Sequence, residues 1–100
     1  MSTPVIRRVV VRGRVQGVGF RAFVEDEARE RRIAGWVRNR SDGSVEAVIA
    51  GSLEEVDRMT AAVRRGPPAA RVETADVSQA GDEDLRQRLA GELFSVLRTI

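Results

Sequence analysis

The sequence predicts an α+β fold, a βαββαβ sandwich with two helices on one face of an antiparallel-type sheet. Three observations point there. Runs of β-branched residues bounded by Gly or Pro alternate with runs of helical period. Two strands, rather than one, separate the two helical runs, and Asp42-Gly43 joins those strands as a hairpin. Hydrophobic residues make up 42% of the 100 positions and charged residues 32%, a balance that suits one globular domain spanning residues 1–100 and argues against disorder.

Each element has its own justification. Val5 to Arg12 (VIRRVVVR) is β-branched and lies between Pro4 and Gly13, so it reads as a strand. Phe20 to Arg32 follows a helical period, with Phe20, Phe23, Val24 and Ala28 on one stripe. Glu25–Arg29 and Glu27–Arg31 supply favourable pairs on its outer face. Ala34 to Asn39 sets Trp36 and Arg38 against Val37 and Asn39, as a strand with two different faces does. Ser44 to Ala50 is its hairpin partner, with Val45, Ala47 and Ile49 on one side.

Ser52 is an N-cap, and Glu55 three residues later completes a capping box. Leu53, Val56, Met59 and Val63 form the buried stripe of the second helix, which Gly66-Pro67-Pro68 ends. Arg71 to Gln79 is a weaker strand resting on Val72, Ala75 and Val77. Residues 80–92 are polar and lean toward helix, and Leu93 to Ile100 is apolar enough for a fifth strand. That order is the ferredoxin-like sandwich, an architecture that by itself selects no function.

Composition narrows the chemistry. The chain has no Cys and no His, which removes disulfides, thiolate nucleophiles, imidazole acid–base work and metal sites built on either residue. All 17 basic residues are Arg, so Schiff-base lysines and the P-loop lysine are excluded too. Residues 1–50 carry ten Arg against six acids, residues 51–100 seven against nine, so an anionic partner belongs with the first half. The N-terminal Met1 to Arg14 holds only a short valine run broken by arginines, so no secretory signal is expected there, and no apolar run approaches a membrane span. A cytoplasmic monomer without a membrane partner is the expectation.

The connection Gly13-Arg14-Val15-Gln16-Gly17-Val18-Gly19 runs straight into the first helix. Its glycines permit a tight strand-to-helix turn, and they equally permit main-chain N–H groups to turn inward around an anion. Arg21 stands in the first helical turn, where a cation opposes the helix dipole unless an anion joins it. A guanidinium there offers a planar fork to phosphate. Asn39, near the end of its strand and opposite in face to Trp36, reads either as a strand-end residue bonding its own backbone or as a site residue.

Taken together, GRVQGVGFR at residues 13–21 and GWVRNRSDGSV at 35–45 resemble the two signature segments of the acylphosphatase family. The resemblance covers residues 5 to about 78 in element order. It implies a ferredoxin-like fold and hydrolysis of acyl phosphates (carboxyl-phosphate anhydrides) to carboxylate and inorganic phosphate, with neither metal nor cofactor. Phosphate is then also a product that inhibits. The resemblance further implies that Arg21 holds the phosphoryl group together with the backbone amides of Gln16, Gly17, Val18, Gly19 and Phe20, and that Asn39 positions the attacking water.

A good leaving group makes such a reaction accessible to oriented water and charge stabilisation, without a strong base. Two other classes compete: a phosphate- or carbamoyl-phosphate-binding regulatory module without significant turnover, and nucleic-acid binding through the sheet. Aromatics at 4% leave few stacking platforms for the latter. The departure from the family pattern is the long polar stretch at 79–92, whose Asp82-Glu83-Asp84 fits a solvated loop or helix start better than a metal site.

Overall fold

A computed structural model describes residues 4–100; Met1 to Thr3, the start of the segment read above as carrying no secretory signal, lie outside the described residues. The elements run β1 (Val5–Arg14), α1 (Phe20–Arg31), β2 (Ala34–Asn39), β3 (Val45–Gly51), α2 (Leu53–Arg65), β4 (Arg71–Gln79), α3 (Asp82–Leu85) and β5 (Phe94–Val96). Five strands form one sheet in the order β4-β1-β3-β2-β5. β1 is antiparallel to β3 and β4, and β2 to β3; the short β5 joins β2 in parallel, aligning Gly35 with Phe94 and Val37 with Val96. The sheet is therefore mixed at one edge, and the fold is ferredoxin-like.

Period decides what each helix buries. α1 turns Phe20, Val24 and Ala28 inward, with Phe23 half-buried at the stripe's border. α2 buries Val56, Met59, Ala62 and Val63. Both lie on Val9, Val11, Val37, Val45, Ala47 and Ile49 of the sheet, and this cluster is the core. Leu53 departs from its expected place and is exposed. A 3.6-residue period carried back from Val56 and Met59 falls on position 52, which leaves Leu53 off the stripe. The capping box at this helix is also only half made. Ser52 Oγ accepts from the Glu55 amide at 3.2 Å, but the Glu55 carboxylate turns to Arg58 at 2.8 Å.

The sheet's second face is covered as well. Of residues 80–92 only Asp82–Leu85 is helical, and this segment lies across the face away from α1 and α2. Trp36 Nε1 donates to the Asp84 carbonyl at 2.6 Å. Glu46, nearly buried, accepts from Arg8 and from Arg38, each at 2.9 Å. Arg8 reaches on to Asp84 at 2.7 Å, and the Arg38 guanidinium stands 4.5 Å from the Trp36 ring centre. Trp36 is a packing residue with no exposed surface, and β3 is buried on both faces from Val45 to Ala50.

Gly35 explains its own identity. Its φ is +146°, and a Cβ there would collide with the Val48 carbonyl oxygen of the neighbouring strand. Beyond Val96 the strand ends, yet the tail still follows β2: Leu97 donates to the Val37 carbonyl at 2.9 Å and Ile100 to that of Asn39 at 3.3 Å. Among the described residues no helix is long and apolar enough to cross a membrane.

Candidate active site

The loop between β1 and α1 is anchored by Val15, whose side chain is fully buried in the core. Past that anchor the chain must turn sharply into α1, and Gly17 (φ +73°) and Gly19 (φ +78°) do so in the left-handed region. A Cβ at either position would meet nothing within 4 Å. The glycines thus serve backbone conformation, since the space beside them is open.

Gly19 is the N-cap of α1, with no side-chain cap, and the first turn carries no acidic residue. The first intrahelical bond from this end is donated by Phe23 to the Gly19 carbonyl at 3.0 Å. The N–H groups of Phe20, Arg21 and Ala22 therefore precede the helical ladder, at the positive end of the dipole.

Beside this turn is a cavity of about 400 Å³. Gln16, Gly17, Gly19, Phe20 and Arg21 line it from the loop and helix, and Asn39 lines it from the end of β2. Of the residues anticipated for the site, Val18 alone is not on the lining; its side chain packs against the core instead. Arg21 is half-buried, and its side chain makes no hydrogen bond or ion pair among the described residues. By contrast Arg8 and Arg38, on the other face, are each committed to Glu46.

Asn39 reaches the cavity because β2 alternates. Val37 faces the helices and so does Asn39, while Trp36 and Arg38 face away. The local turn bonding that a strand-end Asn often supplies is done here by Asp42. Its Oδ1 accepts from the Ser44 amide at 2.9 Å and from the Ser44 hydroxyl at 2.5 Å. Those two bonds, the hydroxyl's first, hold the Asp42 carboxyl below the usual carboxylate range. The Asn39 side chain makes no such bond among the described residues.

Four more residues complete the lining: Val15, Ala22, Glu25 and Val96. Glu25 stands one turn on from Arg21 and holds Arg29 at 3.1 Å, the pair expected from its spacing. Its place in the cavity follows from the helical period, which stacks positions 21 and 25 on one face. Val96 comes from β5, whose position depends on tertiary pairing that no local pattern encodes. Among the described residues no three carboxylates converge into a cation site, and Asp84 is engaged by Arg8 and the Gly81 amide. The aromatic side chains give the sheet no stacking platform: Trp36, Phe20 and Phe94 are buried and Phe23 is half-buried.

The sequence model of the family Acylphosphatase matches residues 7–89. A relative named acylphosphatase from Bradyrhizobium diazoefficiens is 53% identical over 95 residues, which is 95% of this chain and 96% of that protein. The crystal structure of acylphosphatase from Bacillus subtilis superposes with a TM-score of 0.79 at 39% identity, covering 93% of this chain and 98% of that one. The structure of an acylphosphatase from Coxiella burnetii gives 0.81 at 34% identity, covering 94% and 93%.

Proposed function

The chain belongs to the acylphosphatase family, and from that premise we propose how its cavity carries out the reaction. It is a hydrolase of acid anhydrides and acts on acyl phosphates. The phosphoryl group sits in the loop, where the amides of Gln16 to Phe20 and the Arg21 fork meet its oxygens. Asn39 lies across the cavity, and its amide aims the attacking water. Water adds to phosphorus as the bond from phosphorus to the acyl oxygen breaks. The carboxylate leaves with the electron pair, and inorganic phosphate forms.

Arg21 and the N–H groups act on charge spread over the phosphoryl oxygens, in a site already arranged for it. Asn39 is too weak a base to hold the water's proton, so a phosphoryl oxygen takes it. The observation that carries this reading is one juxtaposition. An Arg21 guanidinium with no protein partner among the described residues and the Asn39 side chain line the same cavity, beside a helix start without a cap or an acid. We place this activity in a monomer in the cytoplasm.

Turnover of benzoyl phosphate in excess chelator, with inorganic phosphate as competitor, tests the reading. Chelator-resistant hydrolysis, competitive inhibition and loss of rate in Arg21→Ala and Asn39→Ala are the expected results. Phosphate binding without turnover would instead identify a regulatory module, and full activity in both variants would move the site elsewhere.

A further inference from the structure

Gln16 enters the site above only through its backbone amide, yet its side chain makes the more telling contacts. The Nε2 group donates to the Arg40 carbonyl at 2.8 Å and to the Ser44 carbonyl at 2.9 Å. Two carbonyl acceptors fix the orientation of the amide, since only its NH₂ end can donate to both. Arg40 follows Asn39 directly, and Ser44 precedes Val45, the register partner of Asn39. The Arg40 amide donates to the same Ser44 oxygen at 2.9 Å, closing the turn. Among the described residues these two bonds are the only hydrogen bonds between the loop at 15–19 and the hairpin at 39–45.

We propose that the Gln16 side chain is a positioning residue, a clamp that holds the Asn39 end of β2 at its working distance from the anion loop. This inference rests on the proposed roles of the loop and Asn39. The loop and the hairpin are separate segments facing one another across the cavity, and water attack in line requires their spacing to be held within a fraction of an ångström. β1 and β3 set the general distance through their ladder, which runs only to the Val11–Val45 pair. Past that pair an exposed Arg12–Asp42 ion pair at 3.9 Å is a loose link, and Gln16 carries the hydrogen-bonded connection. Because the amide spans two carbonyls of one turn, it fixes orientation as well as distance.

The test is a double-mutant cycle on benzoyl phosphate turnover. It combines Gln16→Met, which keeps length and removes both donors, with Asn39→Ala. Gln16→Met should lower kcat roughly 10- to 100-fold when Asn39 is present, and by less than about twofold when it is added to Asn39→Ala. Its inhibition constant for inorganic phosphate should stay within about twofold of the wild type, because the loop amides and Arg21 remain. Equal losses in both backgrounds, a kcat within twofold of wild type, or a phosphate constant rising in step with kcat would each overturn the clamp.

Wild-type turnover and its loss in Asn39→Ala are measured first, so failure of the parent reading is seen separately. Should Gln16→Met not fold, the wild type decides by NMR. Both Nε2 protons of Gln16 are expected to exchange slowly, and rapid exchange of both would refute the clamp.

Discussion

Trp36 donates its indole N–H to the main-chain oxygen of Asp84 across 2.6 Å, tying the second strand of the sequence to a segment 48 residues further along. That bond, with Arg8 donating to Asp84 at 2.7 Å and Arg38 to Gln87 at 3.3 Å, fastens residues 80–92 over the sheet face opposite the helices. The two faces have separate duties: one holds the cavity, the other a cover.

Arg21→Lys should cost about 10²- to 10³-fold in kcat/KM, because a point charge cannot reproduce a planar two-pronged donor. The phosphate inhibition constant should rise at least about tenfold in parallel. Steady-state kinetics with phosphate as competitor measure both. Unchanged phosphate affinity would remove Arg21 from the anion site.

Asn39→Ala should behave differently. Its kcat should fall about 100-fold, while phosphate inhibits as it does the wild type, since the substitution removes water positioning and leaves the anion cradle whole. A matching loss of phosphate affinity would reassign Asn39 to substrate binding.

Gly19→Ala forces a Cβ onto a residue at φ +78°. No neighbour is within 4 Å of that Cβ, so the cost is backbone strain alone, about 1–2 kcal/mol. For a chain of this size that is a drop of about 5–10 °C in Tm. Calorimetry reads it, and an unchanged Tm would show that the loop relaxes freely.

Glu46→Ala leaves the Arg8 and Arg38 guanidinium groups facing each other without their shared carboxylate. Both are partly open to solvent, so the loss should be about 2–3 kcal/mol, less than for a fully buried pair. Chemical denaturation measures it. The kcat should hold within about twofold, because the cluster lies on the face away from the cavity.

The Gly81 amide and then Arg8 hold the Asp84 carboxyl below its ordinary range. A carboxyl depressed by folding stabilises the folded state above its unfolded pKa of about 3.9, and that contribution is lost as pH falls through the folded value. Asp84→Asn should therefore lower Tm at pH 7, and the gap from the wild type should close toward pH 3. A gap independent of pH would show that the charge on the carboxylate contributes nothing to stability.

Much of this is legible in the sequence because local rules govern it. β2 begins at Ala34 and ends at Asn39 as its alternation requires, and the same alternation carries Asn39 to the helix side, away from Trp36. The glycines of the loop announce a left-handed turn into α1. Other features depend on partners distant in the chain. Leu93 to Ile100 has the composition of a longer strand, yet only Phe94–Val96 pairs as one, the rest of the tail keeping single bonds to the Val37 and Asn39 carbonyls. Residues 80–92 lean toward helix by composition, but Trp36, Arg8 and Arg38 hold them as turns around one short helix. The two bonds of the Gln16 side chain span 24 and 28 residues and leave no periodic trace.

The placement of Val96 bears on how such a protein diverges. It enters the cavity wall from β5, a three-residue strand at the sheet's margin, whereas Gln16 to Arg21 and Asn39 are carried by β1, α1 and β2 in the interior of the fold. If the loop and Asn39 meet the phosphoryl group as proposed, a change at Val96 reshapes one wall of the pocket and leaves those groups in place. On that proposal, acyl preference and anhydride cleavage would lie on different parts of the polypeptide, and selection could adjust the first without risking the second.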